Sequence, residues 1–183
     1  MANALVLLAA GFEELEAVTV IDLLRRGGIE VVSAGLEAGA IIGSRGIRVL
    51  ADTTLEAVGE AAFDLLVLPG GQPGTRNLLA DERVTAWVRR MTAAGAWVAA
   101  ICAAPSVLAA AGVLDGRRAT SFPGSLAAFP AVHSVGQAVV EDGSFITSRG
   151  PGTAIDFALH LIERLAGRAR RDEVAAGLQR DPT

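Results

Sequence analysis

In the stretch Trp97-Val-Ala-Ala-Ile-Cys-Ala-Ala-Pro-Ser-Val-Leu-Ala-Ala-Ala111, a strand-like apolar segment runs directly into a helix-like one. Cys102, the only cysteine of the chain, stands at the joint. A thiol held there meets the positive end of a helix dipole, which favours the reactive thiolate. If the chain is an enzyme, we expect its chemistry at Cys102.

The residues around Cys102 are small. Ala100, Ala103 and Ala104 permit a sharp turn without side-chain collisions, as glycines do around the serine of hydrolase elbows. The N–H of Ala103 would then point at charge that develops beside the sulfur. A lone cysteine in an alanine-rich strand can also be an inert, buried hydrophobic residue, and composition alone does not separate the two interpretations.

Apolar runs alternate with amphipathic segments along the whole chain. Uninterrupted apolar strands followed by helices are typical of a mostly parallel sheet that is covered on both faces. We therefore predict one α/β domain over residues 1–183, a three-layer sandwich with a small β-hairpin. The predicted strands are Ala4–Ala9, Ile29–Ala34, Leu65–Leu68, Ala96–Ile101 and Arg118–Ser121, with hairpins in Ile41–Leu50 and about Asp142-Gly143. The predicted helices are Glu14–Arg26, Glu82–Ala94, Pro105–Ala111, Thr153–Ala166 and Asp172–Leu178.

The helical spacing also predicts which faces are apolar. In the first helix Leu15, Val18, Ile21 and Leu24 lie on one side. In the helix that begins at Glu82, the inward side chains are expected to be Val84, Trp87, Val88 and Met91.

Composition excludes several functions. All 16 basic residues are arginine, so Schiff-base catalysis, lysine-anchored pyridoxal phosphate and a P-loop lysine are excluded. With 20 acidic residues the net charge is −4, and nothing predicts sequence-specific nucleic-acid binding. No apolar window is long enough for a membrane span, and the first residues resemble a strand more than a signal peptide, so we expect a cytoplasmic protein.

Three loops are expected to meet at the carboxyl edge of the sheet, where ligands of such folds bind. They carry Glu13 and Glu16, then Gly70 and Gly71, and finally Cys102 with Ala103, as the sequence places them. Glycines let backbone N–H groups approach a ligand closely, so Gly71 and Ala103 could form an oxyanion hole, although Pro69-Gly70-Gly71 could equally be a simple tight turn.

The acidic residues that open the first helix have two interpretations. Acids at a helix N-terminus complement its dipole, and this accounts for two of Glu13, Glu14 and Glu16. Glu16 lies on the side of the predicted site. Beside a thiolate in a dry pocket its pKa would rise, so that it could donate a hydrogen bond and act as acid or base.

The two histidines do not complete a cysteine–histidine site. His160 falls within a helix and His133 in a loop, where structural or surface roles are the simpler expectation. Two histidines and one cysteine do not make a zinc site, and we predict neither a metal nor a cofactor.

Four separated motifs together resemble the ThiJ/PfpI superfamily, closest to the branch of the parkinsonism-associated deglycase and its bacterial YajL-like relatives. The resemblance covers nearly the whole chain. The motifs are Gly11-Phe-Glu-Glu-Leu-Glu16, Val67-Leu-Pro-Gly-Gly71, Ala100-Ala-Ile-Cys-Ala-Ala-Pro105 and Thr147-Ser-Arg-Gly-Pro-Gly-Thr153.

This resemblance implies a flavodoxin-like fold and a homodimer. It implies that Cys102 is the nucleophilic, easily oxidised cysteine and that Glu16 is its protonated partner. Backbone donors are implied at Gly71 and Ala103. Further pocket residues implied by the resemblance are Glu13, a proline from the other subunit matching Pro151, and arginines near the dimer-side pocket matching Arg26 and Arg45.

The chain also departs from the family pattern. Phe122 stands where the eukaryotic branch has a pocket histidine, and Ala103 stands where the protease-like branch has a histidine directly after its cysteine. A cysteine peptidase would therefore lack its base, and this is the least favoured hypothesis.

Two functional hypotheses remain from the sequence. The first is a cofactor-free enzyme of the glyoxalase or deglycase type that acts on methylglyoxal, glyoxal or their early adducts on protein or nucleotide groups. The second is a redox-responsive chaperone or oxidative-stress sensor in which Cys102 is oxidised to the sulfinate.

Overall fold

A seven-stranded sheet between two layers of helices organises the chain, as seen in a computed structural model that describes residues 1–179. The strands are β1 (Asn3–Leu8), β2 (Glu30–Gly35), β3 (Ala40–Ile42), β4 (Arg48–Leu50), β5 (Thr53–Thr54), β6 (Leu65–Leu68), β7 (Trp97–Ile101), β8 (Arg118–Ala119), β9 (His133–Ser134), β10 (Val139–Asp142) and β11 (Phe145–Ser148). Residues 180–183, the end of the predicted domain, lie outside the described residues.

The main sheet has the strand order β10-β11-β7-β6-β1-β2-β5. Its strands pair in parallel except β10, which forms an antiparallel hairpin with β11 at one edge. The carboxyl ends of β1, β6 and β7 therefore lie side by side in the middle of the sheet. This arrangement confirms the predicted mostly parallel sheet and brings the three predicted loops to one edge.

Alternating side chains of the buried strands pack into two separate hydrophobic cores, one on each face of the sheet. In β1, Ala4, Val6 and Leu8 face one helical layer, while Leu5 and Leu7 face the other. The first layer consists of α1 (Glu14–Arg26), α6 (Ala154–Ala166) and α7 (Arg168–Gly177). The second layer consists of α2 (Leu55–Val58), α3 (Gly74–Ala80), α4 (Glu82–Ala93) and α5 (Pro105–Ala110).

Most predicted elements are present within a residue or two of their predicted ends. The hairpin predicted in 41–50 is β3–β4, and the one predicted about Asp142-Gly143 is β10–β11. The predicted inward face of α4 is confirmed, since Val84, Trp87, Val88 and Met91 are buried. None of the helices in the described part of the chain is long and apolar enough to cross a membrane.

The apolar side predicted for α1 was wrong in its first half, although Ile21 and Leu24 of that side do pack against the core. Leu15 and Val18 are 63% and 50% exposed, whereas Glu14 and Glu16 are buried. The helix packs on the sheet through Ala17, Val20, Leu23 and Leu24 and turns its first carboxylates toward neighbouring loops. Periodicity alone cannot show this, because it assumes that charged side chains face solvent.

Short elements and one helix start escaped prediction. The structure adds the two-residue strands β5 and β9, the helices α2 and α3, and a 3-10 turn at Pro151–Thr153. Helix α7 begins at Arg168, four residues before the predicted start. Pieces this short carry too little periodic pattern to be recognised from sequence.

Candidate active site

Three loops that follow β1, β6 and β7 are joined by direct hydrogen bonds. The N–H of Gly70 donates to Glu16 Oε2 at 2.7 Å, and the N–H of Glu13 donates to the Gly70 carbonyl at 2.9 Å. A Cβ added to Gly70 would lie 2.7 Å from Cys102 Cβ and 2.9 Å from Glu16 Oε2. Glycine at position 70 is therefore what allows the cysteine and the glutamate to approach each other.

Cys102 has a left-handed backbone conformation. Its φ is +65°, a region that non-glycine residues rarely adopt and that often marks functional sites. The conformation is held from both sides, because the Cys102 N–H donates to Ser148 O at 2.9 Å and the Cys102 carbonyl accepts from Phe122 N–H at 2.7 Å. The small alanines around Cys102 are buried and leave room for this turn.

Backbone N–H groups surround the sulfur. The N–H groups of Gly71 and Ala103 are hydrogen bonded to the Cys102 thiol, and both lower its pKa. Gly71 has φ +91°, and a side chain there would collide with the backbone of Glu13. The two N–H groups that we predicted as oxyanion donors therefore do converge on the sulfur.

Glu16 is completely buried, and its environment favours the protonated form. Burial raises the pKa of its carboxyl to about 7, and the charge of Glu13 adds to this. The hydrogen bonds with Gly70 and Cys102 act in the opposite direction but are outweighed. The other carboxyl oxygen, Oε1, is buried and has no hydrogen-bond partner among residues 1–179.

The pKa of the Cys102 thiol is raised, not lowered. Burial, followed by the charge and hydrogen bond of Glu16, raises the pKa to about 12, whereas the Gly71 and Ala103 N–H groups lower it. Burial and Glu16 therefore oppose the helix dipole that we expected to favour the thiolate. Helix α5 is only six residues long, and its amino end does not compensate for a dry pocket with a second acid.

Cys102 and Glu16 consequently titrate as a pair. Two negative charges in one buried pocket repel each other, so the pair loses its first proton near pH 7 and retains the second well into the alkaline range. Above about pH 7 the pocket holds a single negative charge and one proton, and near pH 7 the singly and doubly protonated forms coexist. A carboxylate beside a thiol can remove that proton as the sulfur attacks an electrophile.

Glu13 and Glu14, at the start of α1, contact the turn of the β3–β4 hairpin. Ser44 Oγ lies 3.0 Å from Glu13 Oε2 and 3.1 Å from Glu14 Oε2. Glu14 Oε1 accepts the backbone N–H groups of Arg45 and Ile47 at 2.8 and 3.2 Å. Ser44 was not anticipated, because nothing in the local sequence marks it as a partner of these glutamates.

The remaining residues implied by the resemblance lie in different places. Pro151 begins the turn that follows β11 and lines a cleft with Phe122 of the same chain. Arg45 is in the hairpin turn beside Glu14. Arg26 ends α1, roughly 18 Å along the helix from its start, and pairs with Asp22 at 2.8 Å. The structure therefore does not bring Arg26 to the site within one chain.

Neither histidine is placed to serve Cys102. His160 Nε2 lies 2.6 Å from Glu141 Oε2, and His133 is exposed on β9. No hydrogen bond joins either ring to Cys102 in the part of the chain that the structure describes. A peptidase mechanism would need such a base.

Taken together, the fold and the site define a class of α/β proteins with a strained cysteine at the carboxyl edge of a parallel sheet, paired with a buried glutamate. The chain belongs to the DJ-1/PfpI family, whose model matches residues 2–164.

Individual relatives cover nearly the whole chain. Protein dj-1beta of Drosophila melanogaster is 45% identical over 179 residues, which is 96% of each chain. Its crystal structure superposes with a TM-score of 0.95 and 44% identity over 99% of each chain. Deglycase PH1704 of Pyrococcus horikoshii is 40% identical over 151 residues, covering 81% of this chain and 90% of the relative. An oxidized Toxoplasma gondii DJ-1 superposes with a TM-score of 0.94 and 39% identity, covering 97% of this chain and 98% of the other.

Proposed function

We propose that the protein is a cofactor-free, cysteine-dependent enzyme of the glyoxalase or deglycase type. Its substrates would be α-oxoaldehydes such as methylglyoxal and glyoxal, or their early adducts on protein or nucleotide groups. The observation that carries the proposal is the Cys102–Glu16 pair, with the Gly71 and Ala103 N–H groups directed at the same sulfur. A relative that is named a deglycase adds support.

The first step is addition of the thiol to the aldehyde. The Cys102 sulfur forms a bond to the aldehyde carbon while Glu16 accepts the thiol proton, giving a hemithioacetal. As the carbonyl oxygen gains negative charge, it accepts hydrogen bonds from the N–H groups of Gly71 and Ala103. No external base is required, because Glu16 is ionised above its pKa of about 7.

The later steps move protons without any net oxidation. Glu16 first passes the thiol proton to the hemithioacetal oxygen, which regenerates its carboxylate. The carboxylate then takes the proton from the former aldehyde carbon and returns it to the adjacent carbon through an enediol. The hydroxyl proton on the former aldehyde carbon moves to the neighbouring oxygen, which leaves a thioester on Cys102. Water then hydrolyses the thioester, releasing a hydroxy acid and the free thiol. For methylglyoxal, the sum is one methylglyoxal plus one water to one lactate.

The direct test is turnover of methylglyoxal to lactate by wild type, Cys102→Ala and Glu16→Gln. We expect both variants to lose activity by about 100-fold or more, since each removes a group that takes part in bond making or proton transfer. Glu14→Gln is the matched control, because it changes a buried glutamate on the same helix that does not contact the sulfur. Equal rates in wild type, Cys102→Ala and Glu16→Gln would contradict the mechanism.

The second candidate function is a redox-responsive chaperone or stress sensor. Cys102 is the only cysteine of the chain, and the N–H groups around its sulfur could equally stabilise a sulfinate formed with two equivalents of peroxide. The solved structure of an oxidized Toxoplasma gondii DJ-1 supports this alternative. A thiol used in this way requires a reducing compartment such as the cytoplasm. Mass spectrometry after mild peroxide that finds Cys102 unmodified while turnover persists would eliminate the sensor, and aggregation assays with a client protein would test chaperone activity.

We also propose that the protein is a homodimer. Apolar side chains are exposed on the first half of α1 and on the neighbouring hairpin, and burial against a second copy would remove them from water. An antiparallel pair of α1 helices would bring the end of one helix, with Arg26, toward the start of the other. Sedimentation velocity of wild type and Val18→Arg tests this, and a monomeric wild type would contradict it. The exposed residues are Leu15, Val18, Ile42, Ile47 and Leu50.

A further inference from the structure

A cleft beside the backbone turn at Cys102 differs in chemical character from the surroundings of the glutamates. It consists of two adjoining hollows of about 410 and 310 Å³ that share Phe122, Pro123 and Arg149 as walls. We call this the Phe122 cleft. Hollows of this size accommodate molecules considerably larger than methylglyoxal.

The cleft is attached to the nucleophile through the backbone. Phe122 donates its N–H to the Cys102 carbonyl, and the Cys102 N–H donates to Ser148, the residue before Arg149. Phe122 and Ser148, the residue before Arg149, are therefore the two residues whose backbones hold the conformation of Cys102. These two backbone hydrogen bonds place Phe122 and Arg149 beside the Cys102 turn, within reach of the remaining atoms of a substrate whose aldehyde carbon lies at the sulfur.

Arg149 is the only ionisable side chain among the described residues that line either hollow. It is exposed, and within residues 1–179 it forms no ion pair with a carboxylate. One terminal nitrogen, Nη1, donates to the Gly136 carbonyl at 3.2 Å, which orients the guanidinium. The edge formed by Nε and Nη2 is left available, and such an edge matches the two oxygens of a carboxylate.

The side of Cys102 at which Glu16 lies is unfavourable for an anionic group of the substrate. Glu16 is buried there with the charge of Glu13 nearby, and a carboxylate of the substrate would be repelled. Phe122, which is 51% exposed, provides an apolar surface in the same cleft as Arg149. The charge distribution therefore admits a neutral dicarbonyl at the sulfur and a negative group only at Arg149.

From this arrangement we propose that Arg149 is a specificity-determining residue that binds a carboxylate on the substrate, so that the enzyme prefers α-oxoaldehydes bearing a carboxylate over neutral ones. The inference rests on the proposed function and deepens it by naming a substrate class. In this arrangement Phe122 contacts the carbon chain that joins the dicarbonyl group to the carboxylate.

The test compares matched acid and amide substrates. We would measure kcat/KM for 4,5-dioxopentanoate and its amide, and for the acid and amide of a homologue three carbons longer, each converted to the corresponding hydroxy acid. Wild type should prefer the acid by about tenfold at one chain length or both, as expected for one charge-assisted hydrogen-bonded contact. The preference should fall toward one in Arg149→Gln, persist in part in Arg149→Lys, and diminish at high salt.

The control variant is Arg168→Gln, which makes the same change of charge at an exposed position on α7. It should keep the preference of wild type. No acid preference in wild type at either length, or an unchanged preference in Arg149→Gln, would overturn the proposal while leaving the proposed function intact if methylglyoxal is still turned over.

A binding measurement keeps the proposal testable if the enzyme turns over no aldehyde. The unreactive ketones 4-oxopentanoate and 4-oxopentanamide differ only in charge, and saturation-transfer NMR reports their binding without catalysis. Tighter binding of the acid to wild type, lost in Arg149→Gln, supports the carboxylate site even if the proposed reaction fails. Equal binding of the two ketones would contradict it.

Discussion

Glu14 and Glu16 are two residues apart on α1, and both are buried, yet their environments differ fundamentally. Glu14 faces the β3–β4 hairpin. Burial raises its pKa, but the hydrogen bonds from its own N–H, Arg45, Ile47 and Ser44 outweigh this effect, and the net shift is downward. Glu16 faces the sulfur and receives one backbone N–H, and its pKa rises to about 7.

The comparison shows how one helix turn can carry a structural carboxylate and a reactive one. Two differences decide the outcome, because Glu16 lies deeper in the protein than Glu14 and is surrounded by fewer N–H donors. Glu14 fixes the hairpin in its charged form. Glu16 remains close to the pH at which it can exchange a proton with Cys102.

The largest expected difference is in turnover. Glu16→Gln removes the carboxyl that we propose to exchange a proton with Cys102, so methylglyoxal turnover should fall by about 100-fold or more. Glu14→Gln should stay within a few fold of wild type, provided that circular dichroism shows it folded. Similar losses in both variants would mean that the two glutamates are not functionally distinct.

The two glutamates should also respond to pH in opposite directions. The folded-state pKa of Glu16 is about 7, above its usual 4.5, so the folded protein holds a proton that the unfolded chain has lost between these values. The Glu16 contribution to stability is therefore present at low pH and decreases by up to about 3 kcal/mol as pH rises through this window. The lowered pKa of Glu14 acts in the reverse sense, with stability lost as pH falls below 4.5.

Urea unfolding of wild type and Glu16→Gln between pH 4.5 and 8 measures the first effect. The unfolding free energy of wild type minus that of Glu16→Gln should decline with rising pH, because the variant cannot titrate at this position. A difference that is flat across the range would show that the carboxyl is not perturbed.

A smaller loss is expected when the structural carboxylate is removed. Glu14→Gln replaces a charged acceptor of the Arg45 and Ile47 N–H groups by an amide that satisfies them less well. The free energy of unfolding at pH 7 should decrease by about 1–3 kcal/mol. Chemical denaturation measures it, and Asp22→Asn, an exposed acid on the same helix, provides the control with a change within about 0.5 kcal/mol.

The smallest expected effect is that of removing the hydroxyl of Ser44, which contacts both Glu13 and Glu14. Ser44→Ala removes the hydroxyl shared by Glu13 and Glu14 and should lower the unfolding free energy by about 0.5–1.5 kcal/mol. Turnover should change little, since Ser44 does not contact Cys102. A drop in turnover as large as that of Glu16→Gln would place the hairpin side in the catalytic machinery.

The sequence sufficed for the parts of the molecule in which pattern and chemistry agree. The apolar strands and the helix from Glu14 to Arg26 could be predicted, and the topology of a parallel sheet then placed the loops at Glu16, Gly71 and Cys102 together. The turn at Cys102 followed from the small residues around it.

Other features depend on tertiary contacts that leave no local signal. The inward orientation of Glu14 and the exposure of Leu15 are consequences of a hairpin 30 residues away in the chain. The high pKa of Cys102 depends on how far burial and Glu16 outweigh two N–H groups, a balance that only the packed structure determines.

The most direct test of the account is a titration of the two carboxyls by ¹³C NMR on protein labelled at the glutamate side-chain carboxyl carbons, assigned with Glu14→Gln and Glu16→Gln. We predict a midpoint near pH 7 for Glu16 and one below 4.5 for Glu14. A Glu16 midpoint at 4.5 or lower would contradict the claim that Cys102 and Glu16 share a proton at neutral pH.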